Sequence, residues 1–279
     1  MSYMDKMDQY GFVPANHATP AYFPVQKIDL FDGDGHKVHG HIGVRRQDTM
    51  QILGVHTDAY QMVTHEDVHS AFLDALRTTS LDLTDMRVGK DTSHDGARMF
   101  LQLVLPGVQV DMGGGDLTAM RIVCFNSYDG STSVKFRVGG YRFVCANTAV
   151  IGKDIAAAAK RHVSGFDLDA LARGLVDAAS AYLEETKRWR LWAQTPVSLP
   201  QAMSVFKAIP GSNDAMRGVL MERWIAEPQP TLWALYNVLT AWSTHTESRA
   251  KNAMAARMTR EERVAKAIEC KEWRVLEDA

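Results

Sequence analysis

The spacing of apolar residues changes near Asn147, and this change limits what the chain can fold into more than any other feature. Before it, short apolar segments such as VQVDM and LTAMRIVCFNS are separated by glycine-rich turns, as antiparallel strands are. After it, apolar residues recur at helical spacing, and prolines divide the helical segments. A strand-rich front half and an all-helical back half predict the α+β class. One predicted helix face carries Leu168, Leu171, Leu175, Ala178, Tyr182 and Trp189.

The same change sets the predicted domain organisation. Residues 1–20 carry scattered polar residues without a period and are expected to form a flexible N-terminal arm. Residues 21–150 are expected to form an antiparallel α+β domain, in which hairpins pack against a helix. Residues 151–279 are expected to form a helical region that packs on this domain or extends from it.

Local signals predict several individual elements. The stretch PVQKIDLFDGDGHKVHGHIGVRR alternates on both sides of DGDG and predicts a hairpin, because Asp-Gly accepts the positive φ of tight turns. MQILGV and YQMV predict one or two further short strands. Thr64 and Asp67 fit a capping pair at the start of a helix over THEDVHSAFLDALRTT. Asn147 or Thr148 is expected to cap a helix that begins in NTAVIGKDIAAAAKRH.

Composition narrows the function only a little. A chain of 279 residues with 46% hydrophobic and 23% charged residues can bury a substantial core. Its net charge of -2 offers no overall attraction for nucleic acid, so any such surface must be local. Three cysteines without CxxC spacing fit a reducing cytosol. No signal-peptide pattern and no apolar run of about 20 residues is present, so we expect a cytoplasmic protein without a membrane partner.

The stretch SVKFRVGGYRFVCANTAV predicts a hairpin that turns at Gly139-Gly140. Arginines directly opposite each other repel, so Arg137 facing Arg142 requires an anion or an acidic partner. Two interpretations stay open: a solvated face with acidic groups nearby, and a surface that follows phosphates. When the hairpin turns at Gly139-Gly140 and Arg137 lies opposite Arg142, its residues divide between two faces. The charged face carries Lys135, Arg137 and Arg142 with Val144, and the other face carries Val134, Phe136, Val138, Tyr141, Phe143 and Cys145.

Two histidine patterns are weak signals for a metal. HEDVH matches the H-E-x-x-H pattern of zinc peptidases, but it lies in a first helical turn and no third ligand stands at a recognisable spacing. In HKVHGH, His39 and His41 would share a strand face, without any cysteine or carboxylate pattern beside them. We therefore predict no metal, and the role of the cluster His36, His39 and His41 stays open.

Three separated elements resemble one family. FNSYDGSTSVKFRVGGYRFVCANT resembles the DGS turn, strand and R-V-V-C-x-N-T junction of the phage- and plasmid-related domain of unknown function family 932, with Phe143 in place of the usual valine. LGVHTDAYQMVTHEDVHSAFLDAL and TLWALYNVLTAWSTH resemble its earlier and later elements. The resemblance implies a protein of mobile genetic elements and no established chemistry. The order of strands and helix also resembles single-strand annealing proteins, which is an analogy of fold alone.

Two functions are expected from different classes. The first is a phage-encoded protein of DNA metabolism in the bacterial cytoplasm that binds single-stranded DNA, forms homo-oligomers and anneals strands. The alternative is a non-enzymatic binding module that acts on a host protein, in anti-defence or host takeover. Neither requires a catalytic residue or a cofactor. The residues expected to bind nucleic acid are Lys135, Arg137 and Arg142 on the hairpin, Tyr128 and Tyr141 as stacking rings, and Arg257 and Arg260 from the basic window RAKNAMAARMTR.

Overall fold

The structure is a computed structural model that describes residues 5, 7–8, 12–15, 22–113, 115–143, 145, 147–150, 168–247 and 253–279. Its strands lie in the front half and most of its helices in the back half, which confirms the α+β class. The strands are β1 (Val13–Pro14), β2 (Val25–Phe31), β3 (Lys37–Arg46), β4 (Ile52–Thr57), β5 (Arg87–Ser93), β6 (Arg98–Asp111), β7 (Leu117–Ser127), β8 (Lys135–Arg142) and β9 (Asn147–Val150). The α-helices are α1 (His65–Arg77), α2 (Leu168–Trp192), α3 (Leu199–Ala208), α4 (Asp214–Ile225), α5 (Leu232–His245), α6 (Ala253–Ala267) and α7 (Lys271–Glu277).

The larger sheet is an antiparallel meander with the order β1-β5-β6-β7-β8-β9. Its centre is the long β6–β7 hairpin, which pairs Arg98 with Ser127 at one end and Asp111 with Leu117 at the other. The segment VQVDM, expected from the sequence as a strand, is the end of the longer β6, whose register with β7 shifts between Leu105 and Gln109 while the strand continues. Such an irregularity accommodates the intervening Pro-Gly pair without ending the strand.

The smaller sheet has the order β2-β3-β4 and contains the hairpin predicted around DGDG. Asp32 Oδ1 accepts hydrogen bonds from the backbone N–H groups of Asp34 and His36, which fixes the turn. The strand predicted from MQILGV is β4, whereas residues 60–63 form no strand. The edge strand β2 has no strand partner on its outer side among the described residues.

The main core lies on one face of the larger sheet. Phe136 and Val138 of β8 point into it, and the Phe72 ring of α1 meets Phe136 edge-on at 5.4 Å between centroids. Helix α2 covers the same face, and the helices of the back half extend this core. Aromatic rings at the helical spacing predicted from the sequence fill it, including Trp189, Trp192, Tyr236 and Trp242, with Trp273 from α7.

The opposite face of this sheet is covered by α6 and by Met7 and Phe12, two of the described residues near the start of the chain. Met7 is fully buried there and Phe12 packs edge-on against Tyr141, with 5.5 Å between ring centroids. The described residues among the first twenty therefore differ from the loose arm expected, because they pair with β5 and bury apolar side chains. Met258 of α6 packs on a second apolar group of this face around Phe125.

The Gly139-Gly140 pair is not a turn, so the predicted hairpin is wrong. Strand β8 runs unbroken through both glycines and pairs with β7 on one side and β9 on the other. Neither glycine has a positive φ, so the pair has extended backbone in the interior of a sheet. The register that placed Arg137 opposite Arg142 is lost with the turn, and Val144, expected on the same face, lies outside the described residues.

The predicted helix start at Asn147 or Thr148 is also wrong. Both residues belong to the short strand β9, whose Thr148 pairs with Tyr141. Because β9 extends the sheet, their side chains face the helices instead of capping one: Asn147 Nδ2 donates to the Asn237 carbonyl at 3.2 Å. Residues 151–167, where the rest of that helix was expected, lie outside the described residues.

Among the described residues, none of the helices is long and apolar enough to cross a membrane. The helix predicted after Thr64 is confirmed as α1 with its capping box. Thr64 Oγ1 accepts from the Asp67 backbone N–H at 2.9 Å, and the Asp67 carboxylate accepts from the Thr64 N–H at 3.0 Å. The start of α1 lies beside the turn after β7, because the His65 backbone N–H donates to the Tyr128 hydroxyl.

Candidate nucleic-acid interface

Lys135 and Arg137 lie together on the face of the sheet that α6 covers. Successive strand residues point to opposite faces, so these two side chains share a face and Phe136 lies on the other. Both cations lie over the Phe125 ring, with Lys135 Nζ at 5.4 Å and Arg137 Cζ at 5.9 Å from its centroid. Arg137 also donates to Glu262 of α6 at 3.0 Å. The structure therefore brings together two of the three cations predicted on the hairpin.

Arg142 lies on the opposite face of β8, so the prediction that it shares a surface with Arg137 is wrong. A turn at Gly139-Gly140 would have placed Arg142 on the same face as Arg137. In one continuous strand, side chains five residues apart point to opposite faces. Arg142 Nε donates to Asp116 Oδ1 at 2.6 Å, and the Trp233 indole N–H donates to the other oxygen of that carboxylate at 3.0 Å. Arg142 is thus half-buried in an internal network that joins the sheet to α5.

Tyr128 and Tyr141 are buried, which leaves neither ring free to stack on a base as predicted. The Tyr128 hydroxyl accepts the backbone N–H of His65 at 2.8 Å, and its ring stacks on the His65 imidazole at 4.0 Å. Tyr141 packs between Phe12 and Phe143. Both tyrosines therefore hold segments of the fold together.

Arg257 and Arg260 of α6 have internal partners. Arg260 donates from Nε to the Ser243 carbonyl at 3.0 Å and from a terminal nitrogen to the Thr246 carbonyl at 2.9 Å. These carbonyls end α5, where a guanidinium satisfies groups that have no helical donor. Arg257 Nε donates to Glu261 at 3.2 Å. Both guanidinium groups are therefore engaged by partners within the fold, while Arg249 and Lys251 of the basic window lie outside the described residues.

Glu261 is the centre of a buried polar network behind the Lys135 face. Its carboxylate accepts from Arg121 at 3.4 Å and from the Thr148 hydroxyl at 2.9 Å, in addition to Arg257. Burial acts to raise the pKa of Glu261, but the two guanidinium groups and Thr148 outweigh it and hold the pKa below its usual value. Burial lowers the pKa of Arg121 to about 10, which Glu261 opposes. The network fastens α6 to the sheet.

A cleft of about 230 Å³ opens beside Lys135. It lies between the DGS turn that follows β7 and the exposed side of α6. No carboxylate of the described residues pairs with Lys135, whose amine lies over the Phe125 ring, and both residues line the cleft. The cleft wall is rich in hydroxyl groups, contributed by Ser93, Ser131, Thr132 and Thr259, and its other charged residues are Arg98 and Glu262.

The DGS turn holds its side of this cleft rigidly. Asp129 Oδ1 accepts the Ser131 backbone N–H at 2.9 Å, and Oδ2 accepts from Arg98 at 2.6 Å. Burial acts to raise the pKa of Asp129, but Ser131 and Arg98 lower it further than burial raises it, so the carboxylate stays charged. Gly130 has a φ of +74°, a conformation that side chains rarely adopt. The turn therefore presents Ser131 and Thr132 to the cleft in a fixed position.

An ammonium group surrounded by hydroxyl donors can bind an oxyanion. Ser and Thr hydroxyls and lysine amines are groups that contact phosphate oxygens in nucleic-acid complexes. Sequence reasoning found Lys135 but missed Arg98, Ser93 and Thr259, because they come from distant strands and a helix that only the fold brings together. Besides Lys135, the DGS turn of the family resemblance was the sequence signal that pointed to this cleft.

The histidine patterns do not form a shared ligand set in the described residues. The His65 ring uses both nitrogens, since Asn126 donates to Nδ1 at 3.0 Å and Nε2 donates to the Gly96 carbonyl at 2.9 Å. His36 lies in an exposed turn with Asp32 and Asp34, where all three ligand atoms lie within 4.8 Å of one another. Within that group, the Asp32 carboxylate serves the turn, because Oδ1 accepts two backbone N–H groups and Oδ2 lies 3.5 Å from His36 Nδ1.

The chain belongs to the DUF932 family, described as a domain of unknown function, whose profile matches residues 52–268. This match confirms the resemblance seen in the three sequence elements. It covers β4 to α6 and therefore includes the Lys135 cleft and the Arg142 network. No curated protein and no solved structure matches the chain.

Proposed function

We propose that this protein binds single-stranded DNA, and that the Lys135 cleft holds a backbone phosphate. The observation that carries the proposal is an uncompensated lysine in a cleft lined by four hydroxyl-bearing residues. Arg137 lies on the same face and adds a second positive charge, which Glu262 balances in part. Contacts of this kind position a strand without reading its bases, so we expect little sequence preference.

The size of the cleft favours a single strand over a duplex. A volume of about 230 Å³ accommodates a phosphate with part of its sugar, and a flexible single strand can bend to place one phosphate there more readily than a stiff duplex can. The meander of β6, β7 and β8 with α2 on one face retains the strand-then-helix order that suggested an annealing protein. Strand annealing, a phage origin and a place in the bacterial cytoplasm are part of the proposal and rest on that analogy and on the family resemblance.

The proposed interface differs from the one expected from the sequence. Lys135 and Arg137 remain in it, and Arg98, Ser131 and Thr132 join it. Five of the expected residues are no longer part of the interface, because their side chains are buried or bound within the fold: Arg142, Tyr128, Tyr141, Arg257 and Arg260.

The test is the binding of labelled single-stranded oligonucleotides, measured by fluorescence anisotropy over a range of salt concentrations. Lys135→Glu should weaken binding strongly, while Lys135→Ala should lower the salt slope by roughly 0.7, the value for one phosphate contact on a single strand. Lys207→Glu makes the same charge change on an exposed part of α3, far along the chain from the cleft, and should leave binding unchanged.

Two results would reject this function. One is wild-type protein that fails to bind single strands at low salt, and the other is a Lys135→Glu variant that binds as tightly as wild type. The first would favour a module that binds a host protein. One observation speaks for that alternative: the outer face of the smaller sheet exposes aliphatic side chains, with Val55 57% and Ile52 44% accessible.

A further inference from the structure

We propose that two copies of this chain pair through their β2 strands, with Ile28 on the two-fold axis, so that their smaller sheets join into one six-stranded sheet. The inference concerns a surface away from the Lys135 cleft, and β2 contributes no residue to that cleft. It therefore stands independently of DNA binding. The occupant of the edge is a second copy, because the charges of β2 are complementary to themselves in one register.

The outward backbone groups of β2 are available for pairing. Within an antiparallel strand, alternate residues direct both N–H and C=O toward the same neighbour. The Pro24 carbonyl and the Asp32 N–H both bond to the β3 side, to Gln47 and His36 respectively, so even-numbered residues face β3. Odd-numbered residues direct their backbone groups outward, and no described residue hydrogen-bonds to those groups.

The other sheet edges in the described part of the chain are blocked or short. Strand β4 lies against the turn after β7: a Cβ on Gly54 would stand 2.1 Å from the Tyr128 carbonyl oxygen, and His56 Nε2 lies 2.6 Å from the same oxygen. Strand β1 has two residues, and β9 is in contact with α5. Among the described residues, β1 pairs only with Arg87 and Val88, which leaves five residues of β5 without a strand on that side. The seven-residue β2 is the longest edge in the described part of the chain that is open along its whole length.

Charge selects the register of a β2–β2 pair. A two-fold axis at Lys27 would place two lysines opposite each other, and an axis at Asp29 would place two aspartates opposite each other; both arrangements are unfavourable. An axis at Ile28 places each Lys27 opposite the partner subunit's Asp29. The two symmetry-related pairs are attractive, and they fall on residues whose backbone groups point outward.

The same register covers exposed apolar side chains. Phe31 is 62% accessible at the end of β2 and would lie opposite the partner subunit's Val25. Ile28 would lie opposite its own counterpart on the other face, where it packs beside Gly43. A lysine on an edge strand often prevents pairing. Here, however, Asp29 follows Lys27 by two residues, so in the Ile28 register each lysine lies opposite an aspartate and the pair is attractive.

The experiment measures mass by sedimentation with charge-reversed variants of the full chain. Wild type should be a dimer, and Lys27→Glu and Asp29→Lys should each weaken the dimer about tenfold or more, because two cross-strand pairs become repulsive. Mixing the two single variants should restore a dimer. In the mixed pair, the Lys27→Glu change of one subunit lies opposite the Asp29→Lys change of the other, and the unchanged aspartate lies opposite the unchanged lysine, so both cross-strand pairs join opposite charges.

Two controls separate the edge from internal contacts. Recovery of the dimer on mixing addresses the hydrogen bond that Lys27 Nζ donates to the Tyr60 carbonyl, which Lys27→Glu loses. Lys37→Gln addresses the internal partner of Asp29. Asp29 also forms an ion pair with Lys37 of β3 at 2.9 Å, which the Asp29→Lys variant loses. Lys37→Gln removes that ion pair without changing the charges of β2, and should remain dimeric. Monomeric wild type, single variants that dimerise as wild type does, or folded single variants that stay monomeric when mixed would each overturn the inference.

Discussion

At the residue scale, the basic side chains of this protein differ in whether partners within the fold already bind their charged groups. Arg142, Arg257 and Arg260 are bound by carboxylates and carbonyls inside the fold, while Lys135 lies over an aromatic ring without a carboxylate among the described residues. Sequence alone could not make this distinction. Each of these residues is a basic side chain in an amphipathic stretch, and their partners come from elements that are remote in the chain.

One residue-scale prediction concerns Glu261. Glu261→Leu should lower the free energy of unfolding by about 3–5 kcal/mol, because the buried Arg121 would lose the charge that compensates it. Urea denaturation followed by circular dichroism measures the change.

The neighbouring residue provides the control for that prediction. Glu262 pairs with Arg137 at the surface of the same helix and is about half exposed. Glu262→Leu should therefore cost no more than about 1 kcal/mol. Equal losses for the two variants would contradict the central role given to Glu261 in fastening α6.

At the element scale, the sequence predicted those elements whose signals are local. The Thr64 capping pair, the DGDG hairpin and the long amphipathic helix α2 all depend on neighbouring residues and are confirmed. The Gly139-Gly140 pair was misjudged as a turn because apolar and polar residues alternate both in two strands joined by a turn and in one continuous strand. Pairing with β7 and β9 on both sides decides between them, and these contacts are not visible in the local sequence.

The cap of α1 gives the element-scale prediction. Thr64→Ala removes the hydroxyl that accepts the Asp67 N–H and should destabilise the protein by about 1 kcal/mol. Thr64→Ser keeps the hydroxyl and should restore most of that loss. Hydrogen exchange should show the loss first in the amides of the first helical turn, and an unchanged exchange pattern there would contradict the prediction.

At the scale of the whole molecule, two histidines couple stability to pH. His65 joins α1 to β7 through Asn126, His69 packs beside the Tyr22 ring, and each histidine is 2% accessible. Burial lowers the pKa of His65 to about 4, with the Gly96 carbonyl opposing the shift and Lys90 adding to it. Burial and Lys90 lower the pKa of His69 to about 4 as well. In the unfolded chain both groups titrate near 6.5, so acid favours the unfolded state, which takes up their protons first.

The last prediction follows from the sign of these shifts. The stability that the neutral histidines contribute is complete above about pH 6.5 and falls as the pH drops toward about 4. Between about pH 7.5 and about pH 5, urea denaturation should show a loss of about 2 kcal/mol for each histidine. His69 Nε2 has no hydrogen-bond partner among the described residues, so His69→Leu removes one titrating group without breaking a bond from that nitrogen. This variant should show a loss about 2 kcal/mol smaller than that of wild type over the same pH range. A loss as large as that of wild type would show that His69 is not one of the groups that destabilise the fold in acid.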